Sequence, residues 1–147
     1  MPHTIRRATI NDVPAIIALE RAVANAAHWS REQYESRMKE NALLVAEHHQ
    51  RLSGFICACV LAGEWEIENV VVGNEFRRRG IASALLSALF ESAKKAGNPA
   101  LHLEVRESNA EARQFYMKHG FQQVGRRPKY YRDPPEDAIL YSRLMAT

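Results

Sequence analysis

The sequence predicts an α+β fold, a single sheet of mixed strand direction with its elements in the order β-α-α-β-β-β-α-β-α-β-β. Three observations carry that prediction. Val70, Val71 and Val72 are consecutive β-branched residues, which suit a buried strand and resist helix. Ile81, Leu85, Ala88 and Leu89, beside Ala82, Leu86 and Ala93, then recur at helical spacing. Gly97-Asn98-Pro99 stops that helix, and Leu101 to Arg106 reads as a further apolar strand reached by a crossover.

The first strand is His3 to Arg7, with Thr4 and Arg6 alternating against Ile5. Thr9 or Asn11 caps the helix that follows, Asp12 suits its positive end, and Pro14 is tolerable only in its first turn. Its expected buried face is Ile16, Ile17, Leu19 and Val23, with Ala15. Ser30-Arg31-Glu32-Gln33 fits a capping box and starts a second helix, on which Tyr34 and Met38 lie one turn apart. Between the helices, Ala27-His28-Trp29 puts an aromatic in a connection, where it either packs inward or walls a groove.

Ala42 to Glu47 and Gly54 to Leu61 are two β-rich runs joined by a polar hairpin loop from His48 to Ser53. Adjacent histidines in a strand diverge to opposite faces, so a loop explains His48 and His49 better than a metal site does. Ala62-Gly63 turns the chain into the central strand, Trp65 to Val72, on which Glu66 and Glu68 alternate along one face. Asn109 starts a helix with Ala112, Phe115 and Tyr116 on one side, and Gly120 ends it. Phe121 to Gly125 and Ala138 to Leu144 complete the sheet, separated by a polar loop containing Pro128, Pro134 and Pro135.

At 147 residues the chain suits one domain, residues 1–147, with a core that needs no disulfide or metal. A hydrophobic share of 46% with 25% charged residues describes a globular protein, and a net charge of +3 demands no nucleic-acid partner. Cys57 and Cys59, two apart in an apolar run, read as reduced core residues and not as a disulfide or a zinc pair. No signal peptide heads the sequence, and no apolar run approaches the roughly 18 residues of a spanning helix, so a cytoplasmic location without a membrane partner is expected. Nothing in the sequence sets an oligomeric state.

The chemistry concentrates around Arg77-Arg78-Arg79-Gly80. Three cations before a helix N-terminus have the wrong sign for helix stability, and a glycine there lets a ligand reach exposed N–H groups. Both features suit a bound anion, a phosphate above all. Glu104 is the second focus, because a carboxylate in the apolar strand Leu101-His102-Leu103-Glu104-Val105 is costly unless paired or used. Burial there would raise its pKa toward the working pH of a general base, whereas pairing with Arg106 or exposure to water would make it structural. Glu66 and Glu68 are rival bases on the central strand, and His102 shares the side of Glu104.

Arg77-x-x-Gly80-x-Ala82, set between a β-branched strand and an apolar helix, resembles the pyrophosphate loop of the GNAT superfamily of acetyl-CoA-dependent N-acetyltransferases. The resemblance continues through Leu103-Glu104-Val105-Arg106, Ser108-Asn109-Ala110, Phe115-Tyr116 and Gly120-Phe121. Lys129-Tyr130-Tyr131, Glu136-Asp137-Ala138 and Trp29-Ser30 are similar to the ribosomal-protein-alanine (RimI-type) branch, although His28 stands where that branch has proline.

This resemblance implies the GNAT fold over essentially the whole chain, acetyl-CoA as co-substrate, and no metal. The backbone of Val70, Val71 and Val72 would meet the pantetheine and the acetyl carbonyl. Arg77, Arg78, Arg79, Gly80, Ile81, Ala82 and Ser83 would hold the pyrophosphate, with Asn109 a further coenzyme contact. Glu104 matches the proton acceptor and Tyr116 the proton donor, while Trp29, Glu68, Tyr130 and Tyr131 would border the acceptor. The implied acceptor is the α-amine of an alanine-initiated protein of the small ribosomal subunit. The alternatives are a small amine, a lysine side chain, or a module that holds acyl-CoA without turnover.

Overall fold

The computed structural model describes residues 3–23, 29–98 and 100–144. The elements are β1 (Thr4–Arg7), α1 (Val13–Ala22), α2 (Arg31–Lys39), β2 (Leu43–His48), β3 (Arg51–Leu61), β4 (Glu64–Val72), α3 (Ile81–Lys95), β5 (Ala100–Arg106), α4 (Ala110–Lys118), β6 (Gln122–Arg132) and β7 (Pro135–Leu144). They form one seven-stranded sheet in the order β1-β2-β3-β4-β5-β7-β6. Every neighbouring pair is antiparallel except β4 and β5, the pair joined by the α3 crossover. The predicted order of elements holds.

β3 shows why the sheet has a helix layer on each face. Its residues from Ser53 to Ala58 are all buried, as expected of a strand covered on both sides. Ile56 and Ala58 join one core with Ile81, Leu85, Leu86 and Leu89 of α3 and Tyr116 of α4. Phe55 and Cys57 join the other with Ile16 of α1 and Tyr34 of α2. Leu85, Leu86 and Leu89 are almost fully buried, each worth about 1.5–3 kcal/mol of transfer free energy.

The local start and stop signals act where expected. Ser30 accepts a hydrogen bond from the Gln33 backbone N–H, and the Gln33 side chain accepts one from the Ser30 N–H. Asn109 Oδ1 accepts from the Ala112 N–H at 3.1 Å. α3 ends with Asn98 N–H donating to Ala93 and Gly97 N–H to Lys94, the paired bonds of a Schellman stop, with Gly97 at φ 80°. Pro99 of the expected stop signal, and Ala27 and His28 beside Trp29, lie outside the described residues.

Four expectations need correction. The loop from His48 to Ser53 is a two-residue turn: His48 pairs with Arg51, and only His49 and Gln50 lie outside the strands, both at positive φ. The polar loop between the last strands is itself sheet. β6 runs on through Arg132 and β7 starts at Pro135, so Tyr130 and Tyr131 sit on a hairpin and not on a flexible connection. An irregularity between Arg127 and Tyr131 absorbs extra residues against Ala138 and Glu136, and the Lys129 N–H there donates to Asp137 Oδ1 at 2.9 Å.

The third correction concerns α1, whose buried residues are Val13, Ile16 and Glu20, while Ile17 and Leu19 are half-buried and Ala15 is exposed. The fourth is a bulge in β4. Cys57 of β3 faces Asn69 but Ala58 faces Ile67, which leaves Glu68 as an extra residue. Trp65 and Ile67 point to the α3 side, as do Val70 and Val72, while Val71 points to the α1 side. Glu66 and Glu68 still share the face opposite Trp65 and Ile67, where Arg37 of α2 holds Glu68, and the alternation breaks between Glu68 and Asn69.

Candidate active site

β4 and β5 are hydrogen-bonded only from Trp65–Leu101 to Ile67–Leu103. Past those residues the two parallel strands separate, and the edge of β4 that faces β5 is left without a strand partner from Glu68 to Val72. A groove of ≈ 920 Å³ occupies this opening, within the size range of small-molecule sites. Val70, Val71 and Val72 line it, with Arg77, Arg78, Gly80, Ile81, Ala82 and Ser83 at one end and Asn109 and Tyr116 on the α4 side.

The turn entering α3 supplies the groove's anion-binding chemistry. Arg78 and Gly80 both have left-handed backbone, at φ 63° and 76°. Such alternation turns successive N–H groups toward one point, and the free N–H groups of the first turn of α3 add to it. The first turn of α3 contains no acidic side chain. Arg77 and Arg78 line the groove, but Arg79 does not: its guanidinium lies over the Phe76 ring, 5.7 Å from the centroid. Ser83, at the same end, shares a 3.0 Å hydrogen bond with His119 Nε2.

Glu104 stands where this groove meets a second pocket. The smaller cavity, ≈ 290 Å³, is lined by Glu66, His102, Arg127, Leu140 and Ser142 among others. Leu103 and Glu104 belong to the walls of both. On β5 the apolar residues Leu101, Leu103 and Val105 face the α3 core, so His102, Glu104 and Arg106 share the other side. The Glu104 side chain is 15% exposed and pairs with Arg127 Nε at 3.2 Å. The expected rival partner Arg106 turns instead to Glu136 at 3.3 Å and over the Tyr131 ring at 4.1 Å. His102 Nδ1 shares a 2.6 Å hydrogen bond with Ser142.

The other acids are set apart by their partners. Glu66 lines the smaller pocket, and burial, followed by the nearby charges of Glu104 and Glu68, raises its pKa. Glu68, in the larger groove, is gripped by Arg37 through Nε at 2.6 Å and Nη2 at 3.2 Å. Burial pushes the Tyr116 phenol well above its ordinary pKa, so its hydroxyl remains a proton donor across the neutral range. Phe115 and Phe121 pack edge-on against its ring at 5.2 and 5.4 Å.

Comparison with known proteins decides the family. The model of the Acetyltransferase (GNAT) family matches residues 14–121. A [Ribosomal protein bS18]-alanine N-acetyltransferase of Escherichia coli is 33% identical over 141 residues, 94% of this chain and 95% of the relative. The chain belongs to the GNAT family of acetyltransferases.

As a RimI-like N-acetyltransferase it also has close structural relatives. The crystal structure of the ribosomal-protein-S18-alanine N-acetyltransferase from E. coli superposes with a TM-score of 0.87 at 30% identity, covering 99% of this chain and 96% of that one. Ard1 from Thermoplasma volcanium superposes at 0.89, with 25% identity and complete coverage of both chains. GNAT enzymes take the acetyl group from acetyl-CoA. The groove of this acetyltransferase suits that molecule: a free strand edge for the amides of pantetheine, and an N–H cradle with two arginines for phosphates.

The acceptor side is less compact than expected. Tyr130 is 49% exposed, and the charge of Glu104, followed by burial, raises its phenol pKa, so the two groups are close. Tyr131 is half-buried beneath Arg106. Trp29 does not line the groove; it lies 5.3 Å from the Tyr34 ring, with the Arg37 guanidinium 5.2 Å above it. Arg37, Arg127 and Glu20 are site-related residues that sequence reading missed. Their roles depend on partners distant in the chain. No described helix is long and apolar enough to cross a membrane.

Proposed function

We propose that this GNAT enzyme transfers the acetyl group of acetyl-CoA to the N-terminal α-amine of a protein, with Glu104 as general base and Tyr116 as general acid. The observation that carries the reading is the position of Glu104, where the separating strands β4 and β5 join the coenzyme groove to a second pocket. Bound acetyl-CoA supplies a thioester whose carbonyl carbon an amine can attack. Glu104 accepts the proton that the attacking nitrogen loses, directly or through one water. Tyr116 donates to the departing sulfur, so an amide and a thiol are formed. The β4 edge from Val70 to Val72 orients the acyl arm, and the turn of Arg77, Arg78, Gly80, Ile81, Ala82 and Ser83, with Asn109, holds the coenzyme.

One carboxylate favours an α-amine over a lysine. The α-amine pKa is about 7.7–8.0 and that of lysine about 10.4, so neutralising lysine costs roughly 3.4 kcal/mol more. Glu68, Tyr130 and Tyr131 border the acceptor, with Trp29 behind Glu68 as the surface on which Arg37 lies, and the acceptor is a chain end with a small first residue. The E. coli relative's name supports alanine, exposed after removal of methionine from a small-subunit ribosomal protein. Such an acceptor fits a cytoplasmic enzyme of one domain.

Two experiments test this reading. Mass spectrometry of a peptide panel should find acetylation at the α-amine of an Ala-initiated ribosomal peptide. The same peptide with a blocked end and a free internal lysine should be nearly inert. Efficient acetylation of spermidine or of the blocked peptide, with the Ala peptide ignored, would replace this assignment by a small-amine or lysine acetyltransferase. In calorimetry, acetyl-CoA at about 100 times its Kd should stabilise the fold by roughly 2.7 kcal/mol. Gly80→Val, which forces a β-branched residue to φ 76°, should abolish that stabilisation, while Arg78→Ala only weakens it. A folded wild-type protein that binds no acetyl-CoA would remove the reading altogether.

A further inference from the structure

Glu20 occupies a place on α1 that the apolar stripe of Val13 and Ile16 would give to a hydrophobic residue, and it is fully buried. Its Oε2 accepts hydrogen bonds from the Tyr34 hydroxyl and, at 3.1 Å, from the Trp29 backbone N–H. Its Oε1 is buried with no hydrogen-bond partner among the described residues. A buried carboxylate is expensive, and apolar packing of the same volume is often as stable or more so. The contacts of Glu20 lead toward the active groove. Trp29 packs on Tyr34 and beneath Arg37, and Arg37 grips Glu68 with both arms of its guanidinium. Glu68 is the bulge residue of β4 and lines the groove beside Glu104.

We infer that Glu20 is a positioning residue for the acceptor: its buried carboxylate fixes Trp29 and Tyr34, and through Arg37 it fixes Glu68 at the groove wall. This rests on the proposed transfer to a peptide α-amine, and it deepens that proposal by naming what shapes the acceptor side. Glu20 touches neither the coenzyme groove nor the reacting atoms. It acts by giving two donors one acceptor, so that the Trp29 ring presents a fixed surface to Arg37. Without the carboxylate, the Tyr34 hydroxyl and the Trp29 N–H lose their acceptor, and Arg37 loses a fixed surface to lie on.

Glu20→Met, which removes the shared acceptor oxygen at similar volume, should raise KM for the Ala peptide by about tenfold or more, because small displacements of positioning groups are costly. Its kcat at saturating peptide and its Kd for acetyl-CoA should stay within about twofold, as expected when uniform acceptor binding is lost. Arg37→Gln, which breaks the same chain of contacts nearer the surface, should give the same split without disturbing the buried acid. With 5-fluorotryptophan incorporated, the two tryptophans provide a readout that is independent of turnover. The Trp29 fluorine resonance, assigned by Trp29→Phe, should shift or broaden in Glu20→Met, while that of core Trp65 stays in place.

An unchanged peptide KM together with an unchanged Trp29 resonance would overturn the inference. So would an equal loss of peptide and acetyl-CoA binding with both resonances moved, which would make Glu20 merely structural. If Glu20→Met does not fold, Arg37→Gln decides between the same outcomes. If the wild-type enzyme ignores the Ala peptide, the functional proposal fails by itself, and the fluorine spectra still report whether Glu20 fixes Trp29.

Discussion

Glu104→Gln is expected to lower kcat by roughly 10²–10⁴-fold, the usual contribution of a positioned acid or base. Acetyl-CoA affinity should change little, because the carboxylate acts on the amine. Glutamine keeps the size of the side chain but cannot accept the amine proton, and its neutral amide also gives up the charge pair with Arg127. Stopped-flow or steady-state kinetics with the Ala peptide, beside coenzyme calorimetry, separates the two effects. Tyr116→Phe should slow turnover by a smaller factor, since a thiolate leaves tolerably well unprotonated. Glu66→Gln is the control, because Glu66 has the raised pKa of a candidate base but lines the smaller pocket alone. Full activity in Glu104→Gln with loss in Glu66→Gln would move the base to β4.

The second large effect should come from Gly54, a residue whose importance only the packing reveals. A β-carbon on Gly54 would come 2.6 Å from the Val71 carbonyl oxygen and 3.4 Å from both Ile81 Cγ2 and Leu85 Cδ1. The first of these neighbours is strand backbone and has little room to give. Gly54→Val must therefore push β3 and β4 apart or lift α3 from the sheet. Overpacking of this kind costs roughly 1–3 kcal/mol or more, at about 2–4 °C of Tm per kcal/mol for a chain of this size. Because Val71 and Ile81 also line the groove, acetyl-CoA affinity should fall along with Tm. A variant with wild-type Tm and coenzyme affinity would show that this close approach constrains nothing.

What could be read from the sequence was local. The Ser30 and Asn109 caps, the Gly80 turn, the apolar stripe of α3 and the triple valine are properties of a few adjacent residues, and the structure follows them. The element order came from the same signals, because each is strong enough to stand without tertiary support. What escaped depended on contacts between distant segments. Glu20 looks like a solvated helix residue until Tyr34 and Trp29 are placed beside it. The stretch from Arg126 to Pro135 reads as a loop from its prolines and charges, yet its pairing with β7 makes it sheet. Glu104 stands out as a carboxylate among apolar residues, but its partner Arg127 lies midway along β6, in a stretch whose prolines and charges disfavour strand. The bulge at Glu68 has no local signature at all.

That bulge makes Glu68 two things at once, a side chain and a length of backbone. Substituting Glu68 removes only a carboxylate and its grip by Arg37. Deleting it would join Ile67 directly to Asn69 and restore unbroken pairing with β3, because Ala58 already faces Ile67 and Cys57 already faces Asn69. Val70, Val71 and Val72 would keep the faces they hold, and the strand would lose the bend and extra twist of the bulge, next to the point where β4 leaves β5. For this strand, comparing the deletion of Glu68 with its replacement therefore separates the backbone distortion from the carboxylate. Related chains one residue shorter between Ile67 and Val72 should keep the facing of the three valines and lack the kink.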